Sequence, residues 1–205
     1  MMSKAVRGAV VRVSVLVVLG FAAASCGTVA REGTASSFLI IKALDGASGA
    51  KPGEFSGTLN SDVVTVVKSS PTIFNDLGRA LLSLALKDSG SPASPAAPSQ
   101  ANWVTLDRYH VRYIRSDGRN TEGVDVPYAF DNGITATVTK EDTTVGFMLV
   151  RNQAKMEAPL SALGANGLVV STIAEVTFYG HDQTGRTVSV TGTIGISFAN
   201  FGDPG

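Results

Sequence analysis

The side chains able to do chemistry in this 205-residue chain are few and scattered. Cys26 is its only thiol, so neither an intramolecular disulfide nor a thiolate metal cluster can form. His110 and His181 are its only imidazoles. A catalytic imidazole works beside a nucleophile and an orienting acid, and the chain has no G-x-S-x-G elbow and no H-E-x-x-H zinc helix. His110 falls in a strand pattern and His181 in a turn, which suits one strand-surface and one loop residue. Asp125 and Asp131 flank one strand pattern and Glu141-Asp142 precede another. Such loop carboxylates could gather at one end of a sandwich, but calcium wants about six to eight oxygens. No EF-hand loop or nonapeptide repeat supplies them, and turn chemistry accounts for Asp117-Gly118 and Asp131-Asn132-Gly133. The 22 glycines include no phosphate-cradling motif. The expectation is no cofactor, no metal and no catalytic residue.

What remains is surface recognition. Arg108 and Arg112 share a strand face with His110 if that strand is regular, a cationic strip for an anionic partner or polysaccharide. The plainer account is a solvated face, or an edge strand guarded by charge. Trp103 and Tyr128 are the obvious aromatics for a carbohydrate. Arg108, Arg112, Trp103 and Tyr128 are therefore the ligand-binding candidates.

The N-terminus says where the chain goes. Lys4, Arg7 and Arg12 form a positive region, followed by an apolar run from Val13 to Ala24. A transmembrane helix needs roughly 20 apolar residues. This run is well short of that, so residues 1–25 read as a cleaved signal peptide. The stretch Ala23-Ala24-Ser25-Cys26 resembles the lipobox of bacterial lipoproteins. The resemblance implies that Cys26 becomes the lipid-bearing first residue and that the protein partners a membrane through this lipid. It also implies an exported protein anchored to the cell envelope. In that family's sorting scheme an Asp after the cysteine retains the protein at the inner membrane, and Gly27 here implies the outer one. The leader holds three of the 17 basic residues and none of the 17 acidic ones, so the mature chain carries 14 − 17 = −3. That balance excludes a nucleic-acid footprint.

The elements that must position these side chains read as strands. Gly27 to Ser37 are small and polar apart from Arg31 and Glu32, so residues 26–37 read as a lipidated N-terminus and tether; residues 38–205 read as one domain. Val188, Val190, Ile194, Ile196 and Phe198 alternate with Ser and Thr, and Val176 and Phe178 share a core face. The intervening Asp182-Gln183-Thr184-Gly185 predicts a hairpin turn. Tyr109, Val111 and Tyr113 alternate, as do Ile134, Ala136 and Val138, and Val145, Phe147 and Leu149. Phe38 to Ile41 is apolar on both faces and reads as a central or covered strand, with Val63 to Val67 as another candidate. Leu77 to Leu86 fits a strand, with Ala80, Leu82, Leu84 and Leu86 on one face, and also a helical stripe through Leu77, Leu81 and Ala85; its position between strands favours the strand. Pro159 to Gly164 reads as one helical turn, and the Pro/Ser/Ala-rich 88–102 as a long exposed loop.

The run from Trp103 to Tyr113 is similar to the middle strand of fibronectin type III-like domains. Leu160 to Leu163 with the 173–198 hairpin looks like the inter-sheet corner and last two strands of such domains and of bacterial immunoglobulin-like domains. The resemblance implies an all-β, immunoglobulin-like or fibronectin III-like β-sandwich with a short helical turn and one long loop. The functional expectation is a non-catalytic, lipid-anchored module that binds an envelope protein or polysaccharide. The alternatives are a structural subunit of an envelope complex, using the Phe38–Ile41 run or an exposed edge for strand addition, and a carbohydrate-active hydrolase working through an acid such as Asp125.

Overall fold

In the computed structural model, which describes residues 33–202, the alternating runs pair into two facing sheets. The chain first forms β1 (Ser37–Ala47), β2 (Thr58–Asp62), β3 (Thr65–Val67), β4 (Ser70–Thr72) and β5 (Asp76–Leu86). The short pair β6 (Gly90–Ser91) and β7 (Ser94–Pro95) precedes β8 (Val104–Ile114), β9 (Phe130–Val138) and β10 (Thr143–Val150). A single-turn helix α1 (Asn152–Met156) and a 3-10 turn at Leu160–Ala165 lead to β11 (Val170–Asp182) and β12 (Thr187–Ala199). One sheet runs β1-β5-β10 and the other β2-β12-β11-β8-β9. All neighbours are antiparallel except β2 and β12, which run parallel. The fold is an all-β sandwich.

Period-two alternation puts the predicted core faces inside. Tyr109, Val111, Tyr113, Val176, Phe178, Val145, Phe147, Leu149, Ile194, Ile196 and Phe198 are all buried. The ring of Phe147, reaching across from β10, meets Tyr109 and Phe178 at centroid distances of 5.3 Å each, edge-on. Gly192 of β12 leaves room for Ile41 of β1: a Cβ there would sit 2.7 Å from the Ile41 Cδ1. The leucine run 77–86 is a strand, because Ala80, Leu82 and Leu84 face the core while Leu77 and Arg79 face out. The helical turn is present at 160–165 with Leu160 and Leu163 buried. The Pro/Ser/Ala-rich segment is an exposed excursion holding the β6–β7 hairpin and a 3-10 turn at Gln100–Asn102.

Three expectations change. The Phe38–Ile41 strand is an edge, not a central strand: β1 pairs with β5 alone along this stretch, and Ile40 is 40% exposed. The strand proposed at 63–67 is split, because Asp62 accepts a 2.6 Å hydrogen bond from the Thr65 hydroxyl and folds the chain into a separate β3–β4 hairpin. Residues 34–37, placed in the tether on sequence, are docked. The Thr34 and Ala35 amides both donate to the Thr187 carbonyl, and Ala35 and Ser37 are buried. Among the described residues no helix is long and apolar enough to cross a membrane.

Candidate functional site

The strip containing Arg108 and Arg112 is real in direction but not in charge. Arg108, His110 and Arg112 all point outward from β8. Arg108 donates to Asp131 at 2.7 Å, and His110 lies 3.2 Å from the same carboxylate. Arg112 donates to Glu175 of β11. The Arg108 guanidinium, then His110, hold the Asp131 carboxyl below its ordinary range. β8 is an interior strand between β11 and β9, so these charges do not guard an edge. They are cross-strand pairs, and exposed pairs of this kind contribute little to stability.

The aromatic candidates do not converge. The register Val104↔Val138 and Val111↔Phe130 sets Trp103 and Tyr128 at opposite ends of the β8–β9 pair. The same register parts Asp125 and Asp131 from Glu141 and Asp142. Asp142 instead holds Lys42 at 2.8 Å, and Asp125 accepts from the Thr121 amide. His181 faces Asp107 at 3.3 Å across the surface. Among the described residues no group of three or more His, Cys, Asp or Glu side chains is placed to hold a metal. Cys26 lies outside the described residues.

A cleft that sequence reasoning missed lies at one end of the sandwich. It encloses about 360 Å³ between the end of β1, the 48–56 loop, β2 and the C-terminal segment. Ser48, Ser56, Thr58, Asn60 and Thr65 give it hydroxyl and amide groups, and Leu59 and Phe201 give it apolar surface. Lys51 and Glu54 face each other at 3.5 Å on its rim. The Gly46 and Ser56 backbones bridge reciprocally at 2.8 and 2.9 Å and tie the loop back to β1.

Through Asp62, one of its lining residues, the cleft is tied to a buried ion pair. Lys155, from α1, and Asp76, at the start of β5, have side chains 1% and 0% exposed and meet at 2.9 Å. Asp76 also accepts from the Ser61 hydroxyl at 2.5 Å and the Gly49 amide at 2.9 Å. Burial pushes the Asp76 carboxyl up, and Lys155, Ser61 and the Gly49 amide pull it back. The second Lys155 hydrogen bond goes to the Asp62 carbonyl at 2.8 Å. Asp62 then spans two walls of the cleft, its carboxylate accepting from the Thr65 hydroxyl and from the Phe201 amide at 3.0 Å. One network thus fixes α1, β2, β5, the 48–56 loop and the C-terminal segment together. A sign of it was present in the sequence. Extending the core phase of 80, 82 and 84 back by twos reaches Gly78 and then Asp76, a carboxylate where a buried side chain belongs. No comparable sign marks Lys155 as its partner.

The cleft and the chain entry are at opposite ends. Gly33 and Ala35 sit against Thr187 at the start of β12, and the Ser37 hydroxyl bonds the Asn102 carbonyl just before β8. The cleft gathers around the far ends of β1 and β12, beyond Gly46 and at Phe201. No protein-family model, no curated protein and no solved structure matches this chain.

Proposed function

We propose that this chain is an exported, lipid-anchored binding module of the cell envelope, held by Cys26 and taking a polyhydroxylated ligand in the end cleft. The observation that carries this reading is the placement of the cleft at the end of the sandwich opposite the point where the chain enters it. Within the described residues the chain begins at Gly33, at the other end of the sandwich from that cleft. Its size is in the usual range for a small-ligand site. The rim cation Lys51 already faces Glu54, and the Asp62 carboxylate is occupied by Thr65 and Phe201. An uncharged ligand rich in hydroxyls therefore suits the lining better than a polyanion, with Phe201 offering a face for ring C–H groups. The immunoglobulin-like or fibronectin III-like likeness belongs to the same proposal. Its support is the three-on-five sheet division, the β11–β12 hairpin and the β9–β10 connection that crosses between sheets.

Retention of the soluble domain on insoluble envelope polysaccharide tests the reading. Asn60→Ala and Phe201→Ala are each expected to weaken retention about tenfold, the effect of losing about 1.4 kcal/mol at a binding contact. Thr177→Ala, on the open sheet face, is expected to leave it unchanged. No retention of the parent, or equal retention in all three variants, would sink the proposal.

A further inference from the structure

We infer that β10 is a pairing edge for a second copy of this chain, joining two sandwiches about a two-fold axis. Among the described residues the two large sheets have four edge strands, and three carry charge: β1 has Lys42 and Asp45, β2 has Asp62, and β9 has Asp131. β10, Thr-Thr-Val-Gly-Phe-Met-Leu-Val, has no charged residue and no proline. Edge strands in soluble proteins are ordinarily guarded by such residues, since their free N–H and C=O groups template pairing with another chain.

The direction of those groups is fixed by Tyr109. Its hydroxyl reaches from β8, accepts from the Met148 amide at 3.1 Å and donates to the Met148 carbonyl at 3.2 Å. Met148 therefore turns its main-chain groups away from β5. By the alternation of an antiparallel ladder, Gly146 and Thr144 do the same. Both residues are exposed, and a Cβ built on Gly146 meets nothing within 4 Å. Tyr109 closes the edge at Met148 and leaves the Thr144–Gly146 segment open.

That segment is complementary to itself. Antiparallel pairing about Val145 sets Thr144 of one copy opposite Gly146 of the other, and each such pair exchanges both main-chain hydrogen bonds. With no charge in the strand, two copies approach without like-charge repulsion. The two three-stranded sheets become one continuous sheet, and neither end cleft is covered, because β10 lies at the opposite edge of its sheet from β1.

Sedimentation equilibrium on the full mature chain tests the inference, with Cys26→Ala in place so that neither lipid nor an intermolecular disulfide contributes. The expected result is a reversible dimer. Thr144→Lys and Gly146→Lys are each expected to weaken it about tenfold or more through like-charge juxtaposition at the two-fold. Thr135→Lys, on the β9 edge, should leave it intact. Hydrogen exchange at the Thr144 and Gly146 amides should slow as protein concentration rises, which a dimer formed through another face would not produce. If the chain stays monomeric at its highest soluble concentration, the inference is overturned. It is equally overturned if either lysine variant folds like the parent and still dimerises as tightly.

Discussion

Asp76 and Lys155 meet in the interior, and neither has water to fall back on. A buried pair is a poor source of net stability, because removing two charges from water costs about as much as their attraction returns. Breaking it is another matter. Lys155→Met leaves a carboxylate with only Ser61 and the Gly49 amide, and Asp76→Leu strands the ammonium on the Asp62 carbonyl. Each single variant is expected to lower unfolding free energy by about 3–5 kcal/mol. The double variant should recover much of that loss, since it buries no orphaned charge. Urea unfolding of the four proteins measures the coupling, and simple additivity of the two single losses would contradict the buried network described beside the cleft.

At the scale of elements, pairing depends on what the backbones allow between strands. The register of β8 slips at Leu106/Arg108 on both sides, skipping Asp107 against β9 and again opposite Tyr179/Gly180 of β11. At the second of these, Gly180 lies so close that a Cβ would stand 2.2 Å from the Thr105 carbonyl oxygen. Backbone cannot yield as a flexible side chain does, so Gly180→Ala is expected to push β8 and β11 apart. The loss should be about 2 kcal/mol or more, in the class of overpacked and strained sites. It should appear in thermal unfolding and as faster amide exchange across the β8–β11 ladder. By contrast the Gly192 contact is with the Cδ1 of Ile41, whose end can rotate. An alanine there should cost less, and the reverse order would contradict this account of the two glycines.

At the scale of the whole molecule, the question is how the domain is held. The anchor reading makes Cys26 the only covalent link to a membrane. Cys26→Ala is expected to abolish incorporation of labelled fatty acid, while the sandwich folds as before, because every contact described in it lies beyond residue 32. Normal labelling of that variant would remove the anchor from the proposal. The cleft and the β10 edge would stand unaffected.

The sequence by itself determined the all-β sandwich and the phase of nearly every core strand. Side chains alternate with a period of two, so Val, Ile, Phe and Tyr spaced by Ser and Thr mark their own faces. It also settled the hairpin at Asp182–Gly185 and the helical turn after Pro159, which depend on local backbone preference. Only the tertiary structure decided which strand is an edge, which arginine has a carboxylate opposite it, and what lines the cleft. Those facts depend on pairing between residues far apart in the chain, as with Asp76 and Lys155 or Arg112 and Glu175. A strand pattern records what faces the core, but it does not record its neighbour. For that reason the candidate strip at Arg108 and Arg112 was legible, whereas its neutralisation, and the cleft at the other end of β1, were not.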